Sequence, residues 1–294
     1  TKNKINNYDY LMLLNILSGR SLNDLSQYFI LPWIIKDFNK DIFNWLSDKS
    51  YRDLSLPIHA CGEDKERIMN KYELLDDEKY HSGTFYSTHS FVCYFLIRVK
   101  PFTEIHLEIQ GAKYDAPSRM FNGVEQLSNL TEKFQELIPQ LFYLPELYIK
   151  INHIFEGDNE DNIEPIKDYI LPQWSKNDPR KFVLMLKKII ENKKVSQNLN
   201  SWIDIIFGYK QKGPNAIKAL NIYRNACYPP TKSELEKMSE NKELEAHMYE
   251  KEELGCVGKQ LFTKQHKNKD INIKNAKPQK IFFNDSEKLN QLNR

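Results

Sequence analysis

The sequence predicts a mainly helical chain in which proline-bearing extended segments join the helices. Three observations carry that reading. Apolar residues recur at helical spacing, most clearly where Phe182, Leu186 and Ile189 form a stripe behind Asp178 as cap and Pro179 as first residue. Prolines punctuate the intervals, as in Leu31-Pro32-Trp33 and Leu54-Ser55-Leu56-Pro57, and each pushes its predecessor out of the helical region. Hydrophobic residues make up 40% of the 294 and aromatics 12%, which suits a packed interior and argues against disorder over most of the length. A chain of this size holds one large domain or two medium ones.

Taken in order, the first helix is expected from Asn6 to Ser18, with Tyr8, Leu11, Met12 and Ile16 near one face and Gly19 as its stop. Glu63 to Lys79 reads as a charged, exposed helix. Phe85 to Val99 stays open, because its β-branched and aromatic residues suit a buried strand while its length suits a helix. Helices are expected over Ser118–Leu130 and Pro145–Asn152, then an acidic surface loop over Asp158–Asp168. After the Asp178 helix another covers Ser196 to Phe207 and ends at Gly208, and a shorter one covers Asn215 to Tyr223. Thr231 to Leu254 opens on the capping box Thr231-x-x-Glu234 and stops before Gly255. Beyond His266, Lys267, Lys269, Lys274, Lys277 and Lys280 interleave with asparagine as a loose tail.

The charge balance, 42 basic against 40 acidic residues, gives no global attraction to nucleic acid or anionic lipid. The lysine-rich tail lacks the aromatic platforms on which RNA bases stack, so no nucleic acid is expected. Cys61, Cys93, Cys227 and Cys256 form no C-x-x-C pair, which excludes a zinc ribbon and suits reduced thiols in the cytoplasm. The apolar run Phe91–Ile97 stops at Arg98, far short of a membrane span. The chain opens on Thr1 without a secretory signal, and the missing Met suggests a piece of something larger.

No motif for zinc catalysis or phosphate binding is present, so no metal, cofactor or catalytic residue is expected. His81 and His89 flank Ser82, Ser87 and Ser90, from which a hydrolase-type nucleophile and base could be drawn. Without a G-x-S-x-G elbow these read instead as capping and packing groups. Arg98 ends an apolar run, and its burial would require a carboxylate partner, with Asp204 or Asp115 on offer.

The run Trp202-Ile203-Asp204-Ile205-Ile206-Phe207-Gly208-Tyr209-Lys210-Gln211-Lys212-Gly213 is the most distinctive. At ~100° per residue its apolar members span an arc of ~200°, so this helix is buried on most sides. Asp204 shares the remaining arc with Ser201 and Gly208, where glycine permits close approach of another backbone. Asp204 reads first as a solvated or structurally paired carboxylate. The functional alternative has Asp204, Lys210 and Gln211 present polar groups to a partner.

That run closely resembles the W-I-D-L-I-F-G-x-K-Q-x-G signature of BEACH domains, the modules of neurobeachin and lysosomal-trafficking-regulator proteins. The resemblance continues, in the family's order, through Asn7-Tyr8-Asp9-Tyr10-Leu11, Leu31-Pro32-Trp33, Tyr51-Arg52-Asp53-Leu54-Ser55, Pro101-Phe102-Thr103, Tyr143-Leu144-Pro145-Glu146 and Leu171-Pro172-x-Trp174. Ala112 stands where a second Gly is frequent, and Gly255-Cys256-Val257-Gly258 departs from the family's G-Q-T-P turn.

The resemblance implies a single mainly α domain over residues 1–262, with helices around a core containing extended, irregular segments, followed by a polar tail at 263–294. It also implies a non-enzymatic scaffold of vesicle or lysosome traffic, placed after a pleckstrin-homology-like domain and before WD40 repeats. Membrane association would then be indirect, through the parent protein, and the protein partners are unknown. Trp202, Asp204, Gly208, Lys210, Gln211, Gly213 and Arg98 are the signature residues from which a partner-facing surface would be drawn, with Trp45 and Trp174 as further aromatic anchors.

Overall fold

Asn6 opens the first helix, because its side chain accepts the Asp9 amide at 2.7 Å and satisfies a donor that the first turn leaves free. The helix, α1, then runs Asn7–Leu17 in a computed structural model that describes residues 5–36, 38, 41–61, 65–112, 120–123, 135–150, 155–156, 164–165, 167–238 and 243–269. Its inner face differs from the expected one. Asn7, Leu11, Leu14 and Asn15 are buried, whereas Ile16 is 58% exposed. The buried asparagines explain the difference, since their amides bind the backbone of neighbouring segments and no hydrophobic count registers that.

Helix α2 covers Lys65–Leu74 and buries only Ile68 and Tyr72, in keeping with an exposed charged helix. The open stretch at 85–99 resolves into two parts. An extended lead enters α3, His89–Phe95, whose cap Thr88 accepts the Phe91 amide, and α4 follows at Phe102–Ile109. Of the helix expected over Ser118–Leu130, only 120–123 lie among the described residues, and these are not helical: Gly123 bridges to Ile170. Of the helix expected over 145–152, residues 145–150 are described, and they hold a 3-10 turn, Pro145–Tyr148. Leu54–Pro57 is not extended either. Asp53 closes a turn there by accepting the Ser55 amide at 2.9 Å.

Within the acidic stretch Asp158–Asp168, the described residues include a short strand, β2 (Glu164–Pro165), which pairs antiparallel with β1 (Phe155–Glu156) just before the stretch. Asp178 and Asn192 cap α5, Pro179–Ile190, and α6, Lys193–Ile206. α7 stops at Pro214–Lys218 rather than reaching Tyr223, since Leu220 adopts a positive φ of 59° that no helix continues. α8, Lys232–Met238, follows a realised capping box in which Thr231 Oγ1 accepts the Glu234 amide and Glu234 accepts the Thr231 amide. α9, Glu243–Leu254, ends at Gly255, where φ is 74° and a Cβ would lie 2.2 Å from Ser87 O. The turn that departs from the family's pattern is nevertheless built, with Cys256 N and Val257 N donating to Ser26 O and Cys227 O.

One hydrophobic cluster runs from Leu11 to Val257, with a small satellite of Ala60, Ile68 and Leu220. Extended backbone crosses this interior without sheet ladders, so buried polar side chains meet its hydrogen bonds instead. Glu136 is the main hub. It forms an ion pair with Arg52 at 2.8 Å, accepts the Trp33 amide at 2.6 Å and accepts Trp202 Nε1 at 2.8 Å. Asn15 spans to Ile30 through both its amide oxygen and nitrogen, and Asn221 donates to Ile205 O and Lys210 O. Arg20 reaches Tyr28 O and Cys256 O.

Candidate functional site

The signature run forms the C-terminal half of α6 and the turns after it. Trp202, Asp204, Gly208 and Gln211 are buried, Lys210 is half-buried, and Gly213 is exposed. Gln211 Nε2 donates to Ile206 O at 2.6 Å and Lys210 N to Asp204 O at 3.0 Å, which turns the chain back on the helix end. Gly208 has to be glycine, since a Cβ there would lie 2.6 Å from Asp204 Cα. The interior members of the run therefore hold the fold together. Lys210, Lys212 and Gly213 remain at the surface.

Asp204 is 1% exposed, and its Oδ1 accepts the His266 amide at 2.7 Å. Burial pushes its carboxyl above the usual range, with the His266 amide and Lys210 opposing that shift. Its role is to fasten the segment 255–269, which crosses α6 and α1. Further along that segment Leu261 N and Phe262 N both donate to Phe207 O, at 2.8 and 3.1 Å. His266 Nε2 lies 2.7 Å from Tyr10 Oη, and Lys269 Nζ donates to Asn7 Oδ1 at 2.9 Å. The chain thus stays against α1 and α6 beyond residue 262, as far as the described residues go. Lys274, Lys277 and Lys280 lie outside them.

Between α1, α6 and this segment lies a cavity of about 560 Å³. Ser196, Leu199, Asn200 and Ile203 line it from α6, at the helical spacing that puts them on one face. Tyr10 and Asn7 line it from α1, and Leu261 to Lys269 close its third side. Asn7 Nδ2 is fully engaged with Ile190 O and Ser196 Oγ, both at 2.8 Å. Further along α1, Leu13, Ile16 and Leu17 turn outward at 42, 58 and 55% exposure. Asn200, His266 and Lys269 had no motif to mark them, and Tyr10, within the Asn7–Leu11 landmark, had nothing to tie it to them. They come together only because the segment folds back across 256 residues from Tyr10 to His266.

Arg98 is buried and donates to Phe121 O, to Asn122 Oδ1 at 2.9 Å and to Lys167 O at 3.1 Å. The Asp204 pairing expected for it is not formed, because that carboxylate faces His266; Asp115 lies outside the described residues. His81 stacks on Tyr72 at 4.4 Å, and its Nδ1 accepts the Ile222 amide at 3.1 Å. Burial holds its pKa down to about 4, and neither it nor His89 lines the cavity. Burial pushes the Cys93 and Cys227 thiols up to about 12, where little thiolate exists at neutral pH. Trp174 is buried in the core, whereas Trp45 is half-buried beside Leu46, which is 84% exposed. Among the described residues no group of three His, Cys, Asp or Glu side chains could hold a metal ion, and no helix is long and apolar enough to cross a membrane.

The Beige/BEACH domain family model matches residues 1–269. Beige protein homolog 1 of Schizosaccharomyces pombe is 36% identical over 277 residues, covering 90% of this chain and 11% of that protein. The Saccharomyces cerevisiae protein of the same name is 38% identical over 240 residues, 78% of this chain and 11% of its own. BEACH domain-containing protein B of Arabidopsis thaliana is 35% identical over 286 residues, 94% of this chain and 11% of its own. The chain thus spans about a tenth of the length of these curated relatives.

Proposed function

This chain belongs to the Beige/BEACH family, and from that premise we propose that it is a non-enzymatic protein-interaction module of a large cytoplasmic membrane-trafficking protein. The observation that carries the reading is the outward apolar stripe Leu13, Ile16 and Leu17 of α1, the helix whose Asn7 and Tyr10 line the cavity. Apolar side chains three and four apart on one helix face are normally covered, and leaving three of them in water costs about 25 cal/mol per Å². A neighbouring body that covers them removes that cost. In proteins of the resembled kind that neighbour is a pleckstrin-homology-like domain upstream, with WD40 repeats downstream.

Among the signature residues, half-buried Lys210 and exposed Gly213 reach the surface, while Trp202, Asp204, Gly208 and Gln211 act from inside at the helix end beneath them, and Arg98 acts apart from them on Phe121, Asn122 and Lys167. The hydrolase alternative needs His81 as a base, and its Nδ1 is already committed to the Ile222 amide. Attachment to membrane is indirect, through the parent protein.

The test compares the melting temperature of this chain alone with that of the same chain joined to the upstream segment of its own protein. The joined protein is expected to melt several degrees higher. Leu13→Asp and Leu17→Asp in the joined protein are expected to erase the gain. An unchanged melting temperature on joining sinks the arrangement.

A further inference from the structure

We infer that the cavity between α1, α6 and the 261–269 segment is a cleft for an acidic peptide segment of a partner protein, one that also carries an apolar side chain. The inference rests on the interaction-module reading and specifies the chemistry of what is bound.

The first ground is the floor. Leu199 and Ile203 of α6 face Leu261 and Phe262 across a volume of about 560 Å³, within the range of cavities that enclose a small ligand or side chain. The second ground is Asn200. It is 7% exposed, it lines the cavity, and its side-chain amide has no hydrogen-bond partner among the described residues. An apolar occupant alone would strip water from that amide without replacing its bonds, so the fitting ligand brings a polar group to the same depth.

The third ground is charge. Lys264, Lys267 and Lys269 line the cavity and, among the described residues, no aspartate or glutamate does, in a chain whose 42 basic and 40 acidic residues nearly cancel. Lys269 Nζ is hydrogen-bonded to the neutral amide of Asn7, which leaves its positive charge for an arriving carboxylate. The cleft is also held in shape before anything arrives. Asp204 fixes the His266 amide and Tyr10 meets the His266 ring, so little ordering entropy is lost on binding. A recessed apolar floor suits an inserted side chain better than the flat surface of a bilayer.

The test selects a random peptide library displayed on phage against the full chain. Enriched peptides are expected to combine glutamate or aspartate with an aromatic or leucine residue. Their affinity should fall with added salt. Lys269→Glu should weaken them roughly tenfold or more. Since that change could disturb the segment itself, the exposed pair Lys264→Glu and Lys267→Glu is made separately, and it should weaken binding several-fold with an unchanged melting temperature. An empty selection, enrichment of basic peptides, or binding that neither lysine variant weakens overturns the inference. So does lysine-dependent binding to phosphatidylserine-containing vesicles by a chain that ignores the peptides. Failure here leaves the melting-temperature gain of the joined protein untouched, because that gain depends on the outer stripe of α1; failure of that gain leaves peptide selection as a direct measurement.

Discussion

The inner faces of α5 and α6 and the extended segments around Glu136 are all buried, yet they are stabilised differently. In α5, Phe182, Leu186 and Ile189 sit on one stripe and the backbone satisfies itself, so the interior needs only apolar volume. Around Glu136 the backbone of residues 31–36 and 135–138 has only isolated bridges, such as Leu31 with Leu137, and side chains complete the hydrogen bonding. The contrast teaches that burial alone does not say what a position tolerates. A helical interior position asks for shape, whereas an extended one asks for a specific donor or acceptor.

Near-isosteric substitutions break or sharpen this contrast. Glu136→Gln removes the charge opposite Arg52 and disturbs acceptors used by Trp33 and Trp202, and it is expected to cost about 3–5 kcal/mol in denaturant unfolding. A cost under about 1 kcal/mol would show that the hub is dispensable. The second prediction concerns pH. His59 is buried, with its Nε2 2.8 Å from Leu220 O, and burial holds its pKa down to about 4. The unfolded chain takes up a proton below its ordinary value of 6.5 while the folded chain does not, so stability falls as pH drops from about 6.5 towards about 4. The full difference is about 3 kcal/mol. His59→Phe should flatten that part of the pH profile. An equally steep profile in the variant assigns the loss to other groups.

Asp204→Ala removes the acceptor for the His266 amide and should cost about 1–3 kcal/mol, with faster hydrogen exchange along 261–269. Asp204→Asn keeps an acceptor oxygen and should cost less. Equal exchange in all three proteins would mean that the segment is fastened elsewhere. The smallest effect is expected in α5, where Leu186→Met conserves volume and should cost less than about 1.5 kcal/mol by denaturant unfolding. If this change matched Glu136→Gln, the two regions would not differ in kind.

Legibility followed the same division. Asp178 as cap, Pro179 as first residue and the Phe182–Leu186–Ile189 stripe were readable because helix signals are local and lie within four residues of one another. The capping box at Thr231 was readable for the same reason. On α1 the same method placed Leu11 and Tyr8 inward correctly but misplaced Ile16 and missed Asn7 and Asn15, which are buried for their amides. Glu136 was not legible at all. Its partners Trp33, Arg52 and Trp202 are 103, 84 and 66 residues away, and nothing nearby distinguishes it from the many exposed glutamates. The cavity was equally hidden, since Asn200 reads as one more polar residue on a helix.

The sequence by itself determined the family, the helical class and most helix starts, through a distributed set of landmarks and local capping chemistry. Tertiary structure alone decided which polar residues face inward and which side chains meet around the cavity between α1, α6 and the 261–269 segment. The reason is physical: a helix's hydrogen bonds close within four residues, whereas a buried extended strand without a ladder finds its partners across the whole chain.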